Sequence, residues 1–251
     1  VPKSTKRYVK SSIDASKQNG EKVRCEPNNI LRGDDYENHT FAAIPQVNIS
    51  DTDLMMLMPP IVQGDSREQR IGSKIQMKNI NCRFMFYLPE SLSQSSAHST
   101  VMCRLLVLSC KRHPQYTNLK GNWGTNGDNV SARYFKDGED DCSFEGDNFS
   151  LNFPVNSALF TTHLDKKFVL NRGHLGSTTG GHGPTPLKII NYNHKCKNKL
   201  LKYTDDSAEY PENFAPFAML IYSYASGTVR SSPSSAAVTG SVSIKANWKN
   251  M

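Results

Sequence analysis

No run of about 18 consecutive apolar residues occurs in this 251-residue chain, so its sequence contains no membrane-spanning helix. Its polar, basic start has no signal-peptide pattern either. The six cysteines (Cys25, Cys82, Cys103, Cys110, Cys142, Cys196) form no C-x-x-C pair, which removes the common zinc and redox signatures. The seven histidines (His39, His98, His113, His163, His174, His182, His194) include no H-x-H or H-E-x-x-H spacing. His174 and His182 sit in one glycine-rich loop and would meet at a metal only if that loop folded them together. The same loop reads G-S-T-T-G-G-H-G but lacks the lysine and strand-to-helix setting of a phosphate-binding loop. A G-x-S-x-G elbow is missing too, and helical periodicity is nearly absent. We therefore expect no enzyme, no cofactor and no membrane association.

Cys82, Cys103 and Cys110 lie in apolar, strand-like runs, where free cysteine behaves as a small hydrophobe, so reduced buried thiols are expected rather than a disulfide framework. Without a secretion signal, the sequons at Asn38, Asn48, Asn129 and Asn148 read as surface asparagines. Charge is unevenly spread. Residues 1–24 carry Lys3, Lys6, Arg7, Lys10, Lys17, Lys22 and Arg24 against Asp14 and Glu21, which accounts for most of the net charge of +7. Low apolar content marks this segment as a flexible basic arm. Such an arm rewards a polyanion through counterion release without needing a fold. The expected organisation is an arm over 1–24 and one β domain over 25–251.

Beyond the arm, strand follows strand. His39 to Ile49 is a candidate first strand, with Pro45 marking an edge or bulge. Ile75 and Met77 share one parity while Ile80, Cys82, Phe84 and Phe86 share the other, so a β-bulge is predicted at Lys78-Asn79. Ser99 to Lys111 is apolar on both parities, the pattern of a central strand covered on both faces. Ala158 to Leu170 alternates, with Asp165-Lys166-Lys167 as the place where it could break. Leu187 to Leu200 is amphipathic and basic, and Ala215 to Tyr224 is the most hydrophobic strand. In the last strand Val242, Ile244, Ala246 and Trp248 should face in, opposite Ser241, Ser243, Lys245, Asn247 and Lys249. Long loops at 112–157 and 171–185 connect strands where tight hairpins would be usual, and loops of that length commonly have a task. The fold class is all-β, and among sandwiches a single eight-stranded antiparallel jelly roll suits long loops best.

Two charged clusters stand out. Asp137, Glu139, Asp140, Asp141, Glu145 and Asp147 could attract a hard cation, with the first four as the candidate ligands. EF-hand spacing is absent, however, and a solvated outer loop is the simpler reading. Lys195, Lys197 and Lys199 share one strand parity, so a regular strand would display them as a row suited to a phosphate backbone. Lysines guarding an exposed sheet edge would look the same. Tyr8 and Tyr192 are candidates for base stacking, with ordinary packing as the simpler reading of each.

The order of basic arm, strand, and then Pro60, Ile61, Gln63, Gly64, Gln69, Arg70, Ile71, Gly72, Lys74, Ile75, Lys78 and Ile80 resembles the capsid proteins of small viruses with circular single-stranded DNA genomes, the circovirus-like, Rep-encoding group. A similar turn occurs in coat proteins of satellite and small RNA viruses, so the likeness points to the viral jelly roll more firmly than to one group. The C-terminal strand ending in Ile244, Trp248 and Lys249 adds modest support. The resemblance implies a jelly roll that self-assembles into a T=1 icosahedral shell of sixty copies, with the arm inside against single-stranded DNA. It also implies a virion location, assembly in the host nucleus and a host receptor that the residues do not identify. Sixty arms would supply only about 300 charges against the roughly 750 phosphates needed to encode this chain, so a more basic segment is expected before Val1. On this reading nucleic acid is bound by Lys3, Lys6, Arg7, Lys10, Lys17, Lys22, Arg24, Lys195, Lys197 and Lys199. A non-viral β-sandwich binding module is the alternative of a different class, but it would be expected to show an aromatic platform that Trp123 and Trp248 do not make.

Overall fold

The computed structural model describes residues 23–24, 41–44, 49–64, 69–88, 100–124, 128–171, 186–225 and 238–251. Most of the arm, Cys25, Tyr8 and the loop carrying His174 and His182 lie outside the described residues.

Antiparallel strands dominate. β1 (Val23–Arg24) and β2 (Phe41–Ile44) pair with one edge of β11 (Val238–Asn250), and the other edge of β11 pairs β4 (Lys74–Tyr87), which in turn pairs β9 (Leu187–Lys202). A second sheet runs β3 (Met55–Met56), β10 (Pro216–Tyr224), β5 (Thr100–Cys110), β8 (Phe160–Asn171). A separate hairpin joins β6 (Phe135–Asp137) to β7 (Asp140–Cys142). Residues 23 and 24, assigned above to the arm, thus belong to a sheet. The described strands number eleven where eight were expected, because β1 extends the first sheet and the long 112–157 segment contributes a hairpin.

Alternation along β4 and β11 decides which side faces the core. Phe84, Phe86, Val242, Ile244, Ala246 and Trp248 are buried, as the period-2 pattern requires. Phe86 stacks on Phe168 of β8 with ring centroids 5.7 Å apart, joining the two sheets. The predicted bulge is present. Met77 and Asn79 of β4 pair with Trp248 and Asn247 of β11, consecutive residues that leave Lys78 unmatched, and the slip moves the apolar set from odd to even numbers. In β8 the slip falls at His163, not at Asp165-Lys166-Lys167, and the strand continues through those charges.

Both faces of β5 and β10 are buried. The second cover is the long 112–157 segment, whose helix α1 (Tyr116–Gly121), hairpin and 3-10 turns lie over the outer face of the four-stranded sheet. Trp123 packs edge-on against Phe217 at 5.7 Å, and its indole nitrogen donates to the Ile49 carbonyl at 2.8 Å. The Tyr116 hydroxyl binds the Pro216 carbonyl and accepts from the Met58 amide. Arg104, on the outer side of β5, reaches Asp165 through two hydrogen bonds of 2.8 and 2.6 Å and donates to the Leu151 and Phe153 carbonyls. A cation can stay buried there because every donated bond finds an oxygen.

The Gln63 to Gly72 turn has an architectural role. Arg70 is fully buried and donates to Gln63 Oε1, the Gly72 carbonyl and the carbonyls of Asp205, Asp206 and Ala208, while its guanidinium lies 4.4 Å from the Tyr203 ring centre. Gly72 follows with φ of +83°, a conformation that glycine adopts without Cβ strain.

Candidate nucleic-acid interface

The five-stranded sheet differs from its partner in having no described layer on its outer face. Along β4, β9 and β11 stand ten cations (Lys74, Lys78, Arg83, Lys188, Lys195, Lys197, Lys199, Lys202, Lys245, Lys249) and no carboxylate. None of the ten forms an ion pair among the described residues. Register assigns the outward set. Asn79, Asn81 and Arg83 of β4 lie beside Lys195, Asn193 and Asn191 of β9, respectively, and beside Asn247, Lys245 and Ser243 of β11. Lys74 sits directly opposite Lys202, a like-charge pair that costs stability unless an anion relieves it.

Asparagine side chains tie this face together. Asn247 Nδ2 donates to Asn79 Oδ1 at 3.0 Å, and Asn79 Nδ2 donates to Asn193 Oδ1 at 3.4 Å, so one amide ladder crosses three strands. Asn81, Arg83, Asn191, Asn193, Ser243 and Lys245 line a shallow groove of about 370 Å³. Lysines and an arginine beside amide groups supply charge and hydrogen bonds to phosphate without a base-reading edge. The opposite side has the opposite sign: residues 112–157 hold seven carboxylates against four cations.

The predicted lysine row is not formed as a row. Lys197 and Asn198 adopt φ of +51° and +61°, and between Met77 and Asn79 the β9 partners jump from Lys199 to Lys195. This irregularity leaves Lys195 beside Asn79 on the outer face but sets Lys199 at the level of inward-facing Met77, where its ammonium lies 4.6 Å from the Phe214 ring centre. Tyr192 takes the packing role and not the base-stacking one. It shares the inward parity of Ile190 and His194, and its hydroxyl is hydrogen-bonded to His194 Nδ1 at 2.9 Å. Of the predicted nucleic-acid-binding residues, then, the structure keeps Lys195 with the outward set, turns Lys199 inward and places Lys197 in the turn. Lys3, Lys6, Arg7, Lys10, Lys17 and Lys22 lie outside the described residues. Lys74, Arg83, Lys202, Lys245 and Lys249 were not among those predicted. Their signal was the complete lack of Asp and Glu in 74–87, 187–202 and 238–250, an absence that becomes visible as a single face only once those segments pair.

Asp137, Glu139, Asp140 and Asp141 occupy the β6–β7 hairpin. Lys136 Nζ pairs with Asp141 at 2.6 Å, and Asn156 Nδ2 donates to the same carboxylate oxygen. Among the described residues no group of three or more His, Cys, Asp or Glu could hold a metal ion. Cys82, Cys103, Cys110 and Cys196 are buried free thiols, and burial pushes Cys82 and Cys196 up to about 12.

A second cluster occupies the β8–β9 side of the sandwich. His163 Nε2 and Ser109 Oγ are 2.8 Å apart, and the rings of His163 and His194 meet edge to face at 4.5 Å. Burial, the neighbouring His163 and Lys199 lower His194 to about 4, and burial with Lys199 lowers His163. Burial and the nearby lysine thus disfavour the charged form of both imidazoles.

Compared with known proteins, the chain matches no family model and no curated sequence. No helix among the described residues is long and apolar enough to cross a membrane.

Proposed function

We propose that this chain is a capsid subunit, built on an eight-stranded jelly roll, that self-assembles into a closed icosahedral shell and holds a circular single-stranded DNA genome through non-specific phosphate contacts. The observation that carries this reading is the sidedness of charge: a bare sheet face rich in cations and amides, without a carboxylate, opposite an acidic loop layer. A shell needs that polarity, since its inner wall meets a polyanion and its outer wall meets solvent. The strand orders β2-β11-β4-β9 and β3-β10-β5-β8 support the jelly roll, with β1 and the β6–β7 hairpin as additions to it. Sixty copies, the virion and the nuclear route follow from the sequence resemblance alone.

Negative-stain electron microscopy of the purified chain, with nuclease digestion of whatever nucleic acid co-purifies, tests the proposal. Uniform closed particles containing DNase-sensitive single strands are expected. RNase-sensitive contents would redirect the reading to an RNA virus coat protein, and a strictly monomeric protein that binds no single strand would refute it.

A further inference from the structure

Between the open edges of the two sheets lies a cavity of about 320 Å³, whose lining includes Ser109, Thr161, His163, His194, Lys199 and Phe214. Its volume falls at the small end of ligand sites and is on the scale of one nucleotide. The wall chemistry is one-sided. Two hydroxyls, two imidazoles and the Lys199 ammonium stand there, and no carboxylate lines the cavity. Lys199 lies against the Phe214 ring face and has no ion pair among the described residues. Lys199 is exposed, and an ammonium held over an aromatic ring beside hydroxyl groups can take an anion with a flat apolar part. The irregularity at Lys197-Asn198 produces this arrangement, because it turns Lys199 from the outer face into the cavity.

We propose that this cavity binds a phosphate group, with Lys199 and the Ser109–His163 pair holding the phosphate oxygens and the Phe214–His194 wall accepting the ring when the phosphate belongs to a nucleotide. The site is separate from the bare sheet face and would exist whether or not the chain forms a shell. Two sources share its chemistry, free inorganic phosphate and the phosphate of a nucleotide.

Isothermal calorimetry of the full chain with inorganic phosphate and with thymidine 5′-monophosphate tests it. Saturable binding at one site per chain is expected, weakened about ten- to a hundred-fold by Lys199→Gln, the loss of one charge-assisted contact. Lys120→Gln, on α1 at the far side, should leave it unchanged. Tighter binding of the nucleotide than of phosphate assigns the site to a nucleotide, and equal binding assigns it to free phosphate. Because Lys199→Gln could disturb β9, Ser109→Ala is measured in parallel and should also weaken binding. The absence of saturable heat with either probe, or full affinity in both variants, would overturn the proposal. A monomeric protein without nucleic acid that still binds either probe at one site would sink the capsid reading and leave this one standing.

Discussion

Replacing Arg70 by methionine should destabilise the chain by about 3–5 kcal/mol, the cost of breaking a buried hydrogen-bond network and leaving its carbonyl oxygens without a donor. The guanidinium makes five hydrogen bonds between 2.6 and 3.1 Å, four of them to backbone carbonyls, and three of those lie in the 205–208 loop. Hydrogen bonds to a charged donor contribute about 1.5–3 kcal/mol each in isolation, so a simple sum would exceed the estimate. The sum overshoots because Asp205 and Asp206 are exposed, and water can replace part of what their carbonyls lose. Arg70→Lys keeps the charge but not the planar fork, and should lose about 2 kcal/mol. Equilibrium urea unfolding followed by fluorescence of Trp123 and Trp248, both fully buried, reads these differences. Amide exchange should quicken locally at residues 203–208 in both variants. A methionine variant within about 1 kcal/mol of the parent, or a lysine variant equal to it, would refute the clamp. Loss of nucleic-acid affinity without loss of stability would also refute it.

On the bare sheet face, Arg83→Glu with Lys245→Glu should weaken single-strand binding and shrink its salt slope by roughly 0.7 per lost phosphate contact, measured by titration over a range of salt. An unchanged slope would remove this face from the interface. Asp165→Asn removes the carboxylate from Arg104, but Asp165 is 37% exposed and Arg104 keeps the Leu151 and Phe153 carbonyls, so the cost in the same unfolding assay should be about 1–2 kcal/mol. Gly72→Ala forces a side chain into φ of +83° and should cost about 1–2 kcal/mol through backbone strain alone, with nothing within 4 Å to clash. His194 is lowered to about 4 when folded, so the unfolded chain takes up its proton first as pH falls. Stability should therefore decline from the ordinary histidine range near 6.5 down to about 4, and His194→Gln should flatten that part of the pH profile.

Some of this was local and could be read directly. The alternation in β11, the double-sided burial of β5 and the bulge at Lys78 follow from side-chain periodicity within a single segment. The basic character of β9 was equally plain. Its geometry was not, because Lys197 and Asn198 enter a left-handed turn that no glycine announces. The role of the 112–157 loop was also hidden: its aromatics are scattered between glycines and carboxylates, and only their contacts with β10 show that they form a layer.

The sequence by itself determined the strands, their inward faces and the buried thiols, since each depends on a two-residue period and the transfer of apolar side chains from water. Tertiary structure alone decided which cations share a surface. Residues 74–87, 187–202 and 238–250 are far apart in the chain and meet only through ladder pairing. It also decided that Arg70 holds a loop 135 residues away, and that Lys199 leaves the row it was expected to complete. Those outcomes depend on register and bulges, which are set by the packing of whole strands against one another.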